Sequence, residues 1–185
     1  MAAVLQKQAK RWTYEDYYKL NDDQRYEIID GELLLMAPGP DTWHQGWVGE
    51  LYTILRSHVK SAKLGKVLLS PVDVVLDPEN TVQPDLVFVS EGHLSIIQKR
   101  AIFGSPDLVV ELISPSSIRK DRYVKQALYA RFGIKEYWLG DPATKSLQIL
   151  ALKDGSYHLH ACAEGKGTLT SLVLPGLTFD LAEVD

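Results

Sequence analysis

A chain of 185 residues with 45% hydrophobic and 24% charged side chains is long and apolar enough to bury a sizeable core, which excludes disordered and collagen-like classes. Its net charge of −4 argues against a protein that coats nucleic acid by bulk charge, and its one cysteine, Cys162, excludes an internal disulfide or a multi-cysteine zinc site. No apolar run approaches bilayer length and the amino terminus lacks the core of a signal peptide, so the expectation is a single domain over residues 1–185, cytoplasmic and without a membrane partner.

In chain order, TYEDYYKLNDD offers Thr13 as a helix N-cap with Asp16 three residues later, a capping-box pattern that predicts a short helix. RYEIIDGELLLMAP sets Asp30-Gly31 between two apolar runs and predicts an N-terminal β-hairpin. From His44 to Val59, the positions Trp47, Val48, Leu51, Tyr52, Leu55 and Val59 recur at three- and four-residue spacing, as one face of a long helix does. KVLLS, VDVVLD and PDLVFVS read as strands, EGHLSIIQKRAIFG has no clear period, and DLVVELIS is a further strand. Ser116 or Ser117 can cap a basic helix that runs to Phe132, with Gly133 as its stop. EYWLGDP, SLQILAL and SYHLHAC close the series as strands, separated by turns at Asp141-Pro142 and Asp154-Gly155. The order is strand-rich with two main helices.

Residues 119–135, RKDRYVKQALYARFGIK, carry six Lys or Arg against one Asp. On charge alone a solvated helix face accounts for them better than a phosphate patch, so neighbouring chemistry has to decide.

That chemistry begins at Glu111, a carboxylate in the middle of the aliphatic run PDLVVELIS. Such a group loses several kcal/mol to desolvation unless a cation or metal compensates it. Asp85 opens another strand. If the two strands pair, both acids converge on one side of the sheet, with Glu111 on the face of Val109 and Ile113. Two carboxylates held close repel unless they share a cation or a proton, and hard oxygen ligands suit Mg²⁺ or Mn²⁺. Projected at about 100° per residue, the basic helix puts Asp121 within the apolar sector of Val124, Leu128 and Phe132, with Lys125 at its edge. Lys125 then either pairs with Asp121 one turn away, worth about 0.3–0.5 kcal/mol if exposed, or reaches toward Asp85 and Glu111.

PDLVFV, VVELISPSS, a D-x-x-x-K helix and GIKEYWLGDP together resemble the Uma-two family, a restriction-endonuclease-like branch of the PD-(D/E)XK nuclease superfamily. The likeness extends upstream to YEIIDGELLLMAPGP and the helix opening with His44-Gln45, and downstream to LPGLTFDLAEV, so it covers nearly the whole chain. It implies an α/β (α+β) fold with a mixed sheet flanked by helices, Mg²⁺-dependent phosphodiester hydrolysis and DNA as substrate. Asp85 matches the motif aspartate and Glu111 the motif acid, the two metal ligands. The lysine expected two residues after Glu111 is replaced by Ile113, and Lys125 of the following helix matches the place from which the family draws that cation. Lys120 is its rival.

Around this centre several residues carry two readings each. Glu27, at a recurrent acidic position of the family, either adds a ligand or is a half-buried strand carboxylate paired with a base such as Arg25. His44 is a proton-transfer group or phosphate contact, or else packs and caps a helix start. Asp73 braces the site or is an edge-strand charge, and Gln83 is better read as a surface amide than a substrate contact. Tyr129, Tyr137 and Trp138 are expected in the core rather than as base-stacking platforms. The functional expectation is a metal-dependent DNA endonuclease centred on Asp85, Glu111 and Lys125, supported by Glu27, His44, Asp73 and Asp121. The alternative is a catalytically inactive module of the same fold that binds DNA or protein. Exposed strand edges would also support a homodimer.

Overall fold

The computed structural model describes residues 10–39, 41–113 and 120–184, the last stretch without the side chains of 120–122. The proposed caps Ser116 and Ser117, and the side chains of Lys120 and Asp121, therefore lie outside the described residues.

Local rules set the first elements. The Thr13 hydroxyl accepts from the Asp16 amide at 3.3 Å and the Asp16 carboxylate accepts from the Thr13 amide at 3.1 Å, closing the capping box that starts α1 (Tyr14–Tyr18). Strands β1 (Tyr26–Ile29) and β2 (Glu32–Leu35) form the predicted hairpin. Its two turn residues, Asp30 at φ 50° and Gly31 at φ 78°, both occupy the left-handed region that a two-residue turn of this hand requires. Asp41 caps α2 (Thr42–Ser61) by accepting from the His44 amide at 2.9 Å, and the apolar stripe from Trp47 to Val59 is buried along one side of the helix.

Next come β3 (Gly65–Leu69), β4 (Val74–Asp77), β5 (Asn80–Val82) and β6 (Leu86–Ser90). The unassigned stretch EGHLSIIQKRAIFG contains a 3₁₀ turn, Glu91–Ile96, and the two-residue β7 (Ile102–Phe103), too short for any period to register. Strand β8 (Leu108–Leu112) is buried throughout. The basic helix differs from its expected form: Lys120–Lys125 winds as a π-helix, and only Gln126–Arg131, α3, is α-helical. The wider π turn spoils a projection made at one α-helical angle per residue. Gly133, at φ 71°, ends the helix as expected. Strands β9 (Glu136–Asp141), β10 (Ser146–Lys153) and β11 (Ser156–Glu164) form a meander, and β12 (Thr168–Thr170) pairs with β13 (Thr178–Asp180).

The strands assemble as β11-β10-β9-β8-β6-β3 and as β2-β1-β5-β4-β7. The pairs β8/β9 and β4/β7 are parallel and the others antiparallel, so both sheets are mixed. Period-2 alternation then divides the core. Leu86, Phe88, Leu108 and Val110 face α2 together with Trp47, Leu51 and Leu55. Val87, Val109 and Ile113 face α3 together with Leu128, Tyr129 and Tyr137. Glu111 is two residues from both Val109 and Ile113, so the pleat that buries them also sends its carboxylate under the basic helix.

Candidate active site

Strands β6 and β8 pair antiparallel with Leu86 opposite Val110; Asp85 immediately precedes Leu86 and Glu111 immediately follows Val110, so both lie just beyond that last pair. The Asp85 carboxylate accepts the Leu112 amide at 2.7 Å, beside Glu111, while the Asp85 carbonyl accepts the Ser70 amide at 2.9 Å. The two strand acids therefore occupy neighbouring positions at one end of the sheet.

Glu111 is 4% exposed, and its Oε1 accepts from the Lys125 ammonium at 2.8 Å and the Tyr129 hydroxyl at 2.5 Å. The same ammonium lies 2.9 Å from Oε1 of Glu27, a side chain with 1% exposure. Burial pushes the Tyr129 hydroxyl well above its ordinary pKa, and the Glu111 and Glu27 charges push it further, so it stays protonated and donates. Buried carboxylates are tolerated here because a cation and a hydroxyl satisfy them in place of water.

Two expectations are corrected. The base that meets Glu27 is Lys125 and not Arg25, whose guanidinium instead donates to Oε1 of Gln83 at 2.9 and 2.6 Å. Gln83 itself is buried, at 6% exposure: its amide donates to Glu27 at 3.1 Å and its Nε2 to Asp73 at 2.7 Å. A glutamine before Pro84-Asp85 reads as loop polarity in sequence, whereas here β1 and the residue before β4 close over it. Asp73 is thereby tied to Glu27 through one residue, the Gln83 backbone N–H serving Glu27 and its side chain Asp73, and burial raises the Asp73 carboxyl pKa.

His44 takes its place from the first turn of α2. Its Nε2 is 3.4 Å from Oδ2 of Asp85. Burial lowers the imidazole pKa, but hydrogen bonding and charge from Asp85 outweigh it, and the net shift is upward from 6.5. Tyr129, Tyr137 and Trp138 are fully buried, as core packing requires. Tyr129 nevertheless joins the polar cluster, a role its aromatic ring concealed. The detectable signal was its spacing four residues after Lys125, which puts both side chains on one side of a helix.

Among the described residues no group of three His, Cys, Asp or Glu is arranged to hold a metal ion. A hard ion of the Mg²⁺ type asks less of the protein, since it is commonly bound by one or two carboxylates with water and substrate phosphate completing its shell. Asp85, just before β6, and Glu111, just after Val110 in β8, offer hard oxygen donors of that kind at the same end of the strand pair. No helix of the described residues is long and apolar enough to cross a membrane.

The family model Uma2, described as “Putative restriction endonuclease”, matches residues 13–182. A crystal structure described as a putative nuclease belonging to DUF820, from Anabaena variabilis, superposes with a TM-score of 0.75. The match covers 93% of this chain and 96% of that one at 16% identity, a likeness of fold. No curated protein matches the chain.

Proposed function

The chain belongs to the Uma2 family of restriction-endonuclease-like proteins, and on that premise we propose that it is a metal-dependent endonuclease hydrolysing phosphodiester bonds in DNA, with Asp85, Glu111 and Lys125 at its centre. The observation that carries this reading is the buried Lys125 ammonium 2.8 Å from Glu111, a cation from the next helix where Ile113 of the strand offers none.

Asp85 and Glu111 are the ligands for Mg²⁺ or Mn²⁺; what the bound ion supplies is neutralisation of charge at the scissile phosphate and acidification of water. The protein's own groups do the rest. Lys125 holds fixed positive charge beside the reacting phosphate, in a water-poor setting where that charge counts for more than in bulk solvent. Tyr129 and Lys125 together fix the orientation of Glu111, and the Leu112 amide fixes Asp85. His44, raised above pH 6.5 beside Asp85, is placed to take up or release a proton at Nε2 near neutrality. Glu27 and Asp73, joined through Gln83, brace Lys125 from the other sheet.

The second reading, an inactive nuclease-fold module that binds DNA or protein, is favoured by Ile113, buried in the core at 6% exposure where the superfamily motif has lysine. Cleavage assays on linear, nicked and single-stranded DNA with Mg²⁺, with Mn²⁺ and with chelator separate the two. The nuclease reading expects metal-dependent cutting that Asp85→Ala and Glu111→Ala abolish. DNA binding without cutting under every condition selects the inactive module.

A further inference from the structure

Eight large apolar side chains are exposed among the described residues, and four of them adjoin residues of the candidate site in the chain or in the strand register. Trp43, 69% exposed, precedes His44 and lies one turn before Trp47, beyond the end of the core that α2 covers. Tyr123, 71% exposed, and Val124 precede Lys125 on the π-helical turn. Leu69 pairs with Leu86, next to Asp85. The two exposed rings thus come from different elements, Trp43 next to His44 on α2 and Tyr123 two residues before Lys125.

Aromatic rings left in water around a charged centre suit a ligand with flat apolar faces and a charged backbone. The segment that carries Tyr123, RKDRYVK, has four basic residues against one acid, a charge that suits phosphates. A second copy of the chain fits less well, because the middle of a protein interface is depleted of charge and Tyr123 lies within a strongly basic segment. Inside a duplex each base face is covered by its neighbours, so these rings can be met only by bases out of the stack.

We propose that the site takes single-stranded or locally unpaired DNA, with Trp43 and Tyr123 receiving unstacked bases on either side of the scissile phosphate. This rests on the nuclease reading above and narrows its substrate.

The test is fluorescence anisotropy with a labelled single-stranded oligonucleotide and its duplex, in Ca²⁺, which carries the charge of Mg²⁺ without its strict octahedral demand. Wild type should bind the single strand more tightly than the duplex. Trp43→Ala and Tyr123→Ala should each weaken single-strand binding by about 5- to 100-fold, the size of one lost base stack, while Trp43→Phe keeps most of the affinity. Both side chains are exposed, so the fold should persist, and circular dichroism checks it. Unchanged single-strand binding in both alanine variants, with duplex bound and cut normally, overturns this proposal and leaves the nuclease reading standing. A wild-type dimer that the same substitutions dissociate, with DNA affinity unchanged, also overturns it and makes the rim a self-association surface. Failure of wild type to bind or cut any DNA removes the nuclease reading and this proposal together.

Discussion

The Lys125 ammonium lies 2.8 Å from Glu111 with both side chains buried. Since Glu27 is also within 2.9 Å of that nitrogen, removing the lysine exposes two buried carboxylates to each other. Breaking a buried pair from one side commonly costs about 3–5 kcal/mol. Lys125→Ala should therefore lower the unfolding free energy by that order in urea titrations at pH 7, and should depress the chemical step of DNA cleavage far more than Lys120→Ala. A Lys125→Ala protein with wild-type stability would show that the ammonium does not hold the acids together. If Lys120→Ala were the slower enzyme, the catalytic cation would be Lys120.

Tyr129 donates to the same Glu111 oxygen, and its ring packs edge-on to Tyr137 at 5.3 Å between centroids. Tyr129→Phe keeps the ring and deletes the donor, so it isolates the hydrogen bond. A bond to a charged acceptor contributes about 1.5–3 kcal/mol, and denaturant titration should recover a loss of that order. An unchanged unfolding midpoint would reduce Tyr129 to packing alone.

Sequence periodicity revealed the strands that carry Asp85 and Glu111, because both are short aliphatic runs bounded by Pro, Asp or Ser, and alternation correctly set Glu111 on the face of Val109 and Ile113. It located Lys125 near that face, although the π-helical turn makes the angular argument inexact. The cross-sheet links were hidden. Glu27 and Gln83 come from the hairpin sheet, and nothing in the spacing between residues 27, 83 and 125 shows that three separate segments meet. Gln83 looked exposed because glutamine usually is. In each case the missing quantity was which neighbour covers the side chain, which is set by tertiary packing and not by local pattern.

His44 offers a titration with a definite sign. Burial alone would lower its pKa; the hydrogen bond and charge of Asp85, with smaller help from the Leu112 backbone and Asp41, turn the net shift upward. Because the folded pKa exceeds the unfolded value near 6.5, the stability it contributes is fully present below that pH and is lost as pH rises through the folded pKa. In an NMR titration the His44 imidazole should have its midpoint above 6.5, and in Asp85→Asn the midpoint should fall, since the two largest influences that oppose desolvation are then gone and only the Leu112 backbone and Asp41 remain. A midpoint that ignores the Asp85 substitution would separate the two groups.

If Asp85 and Glu111 hold a divalent ion, ligand binding to the native state should add stability by mass action, about 2.7 kcal/mol at a hundredfold excess over Kd. Thermal unfolding with increasing Mn²⁺ should then show a rising midpoint for the wild type that chelator reverses. Asp85→Asn is the sharper control of the two acids: an amide oxygen can still accept from the Leu112 amide, so the strand end is spared while the charge is lost. Glu111→Gln would instead disturb the Lys125 and Tyr129 contacts and confuse binding with folding. The expected result is a Mn²⁺-dependent rise in the wild type that is absent from Asp85→Asn. An equal rise in both proteins would place the ion away from Asp85, and the strand acids would then be explained by their contacts with Lys125, Tyr129 and the backbone alone.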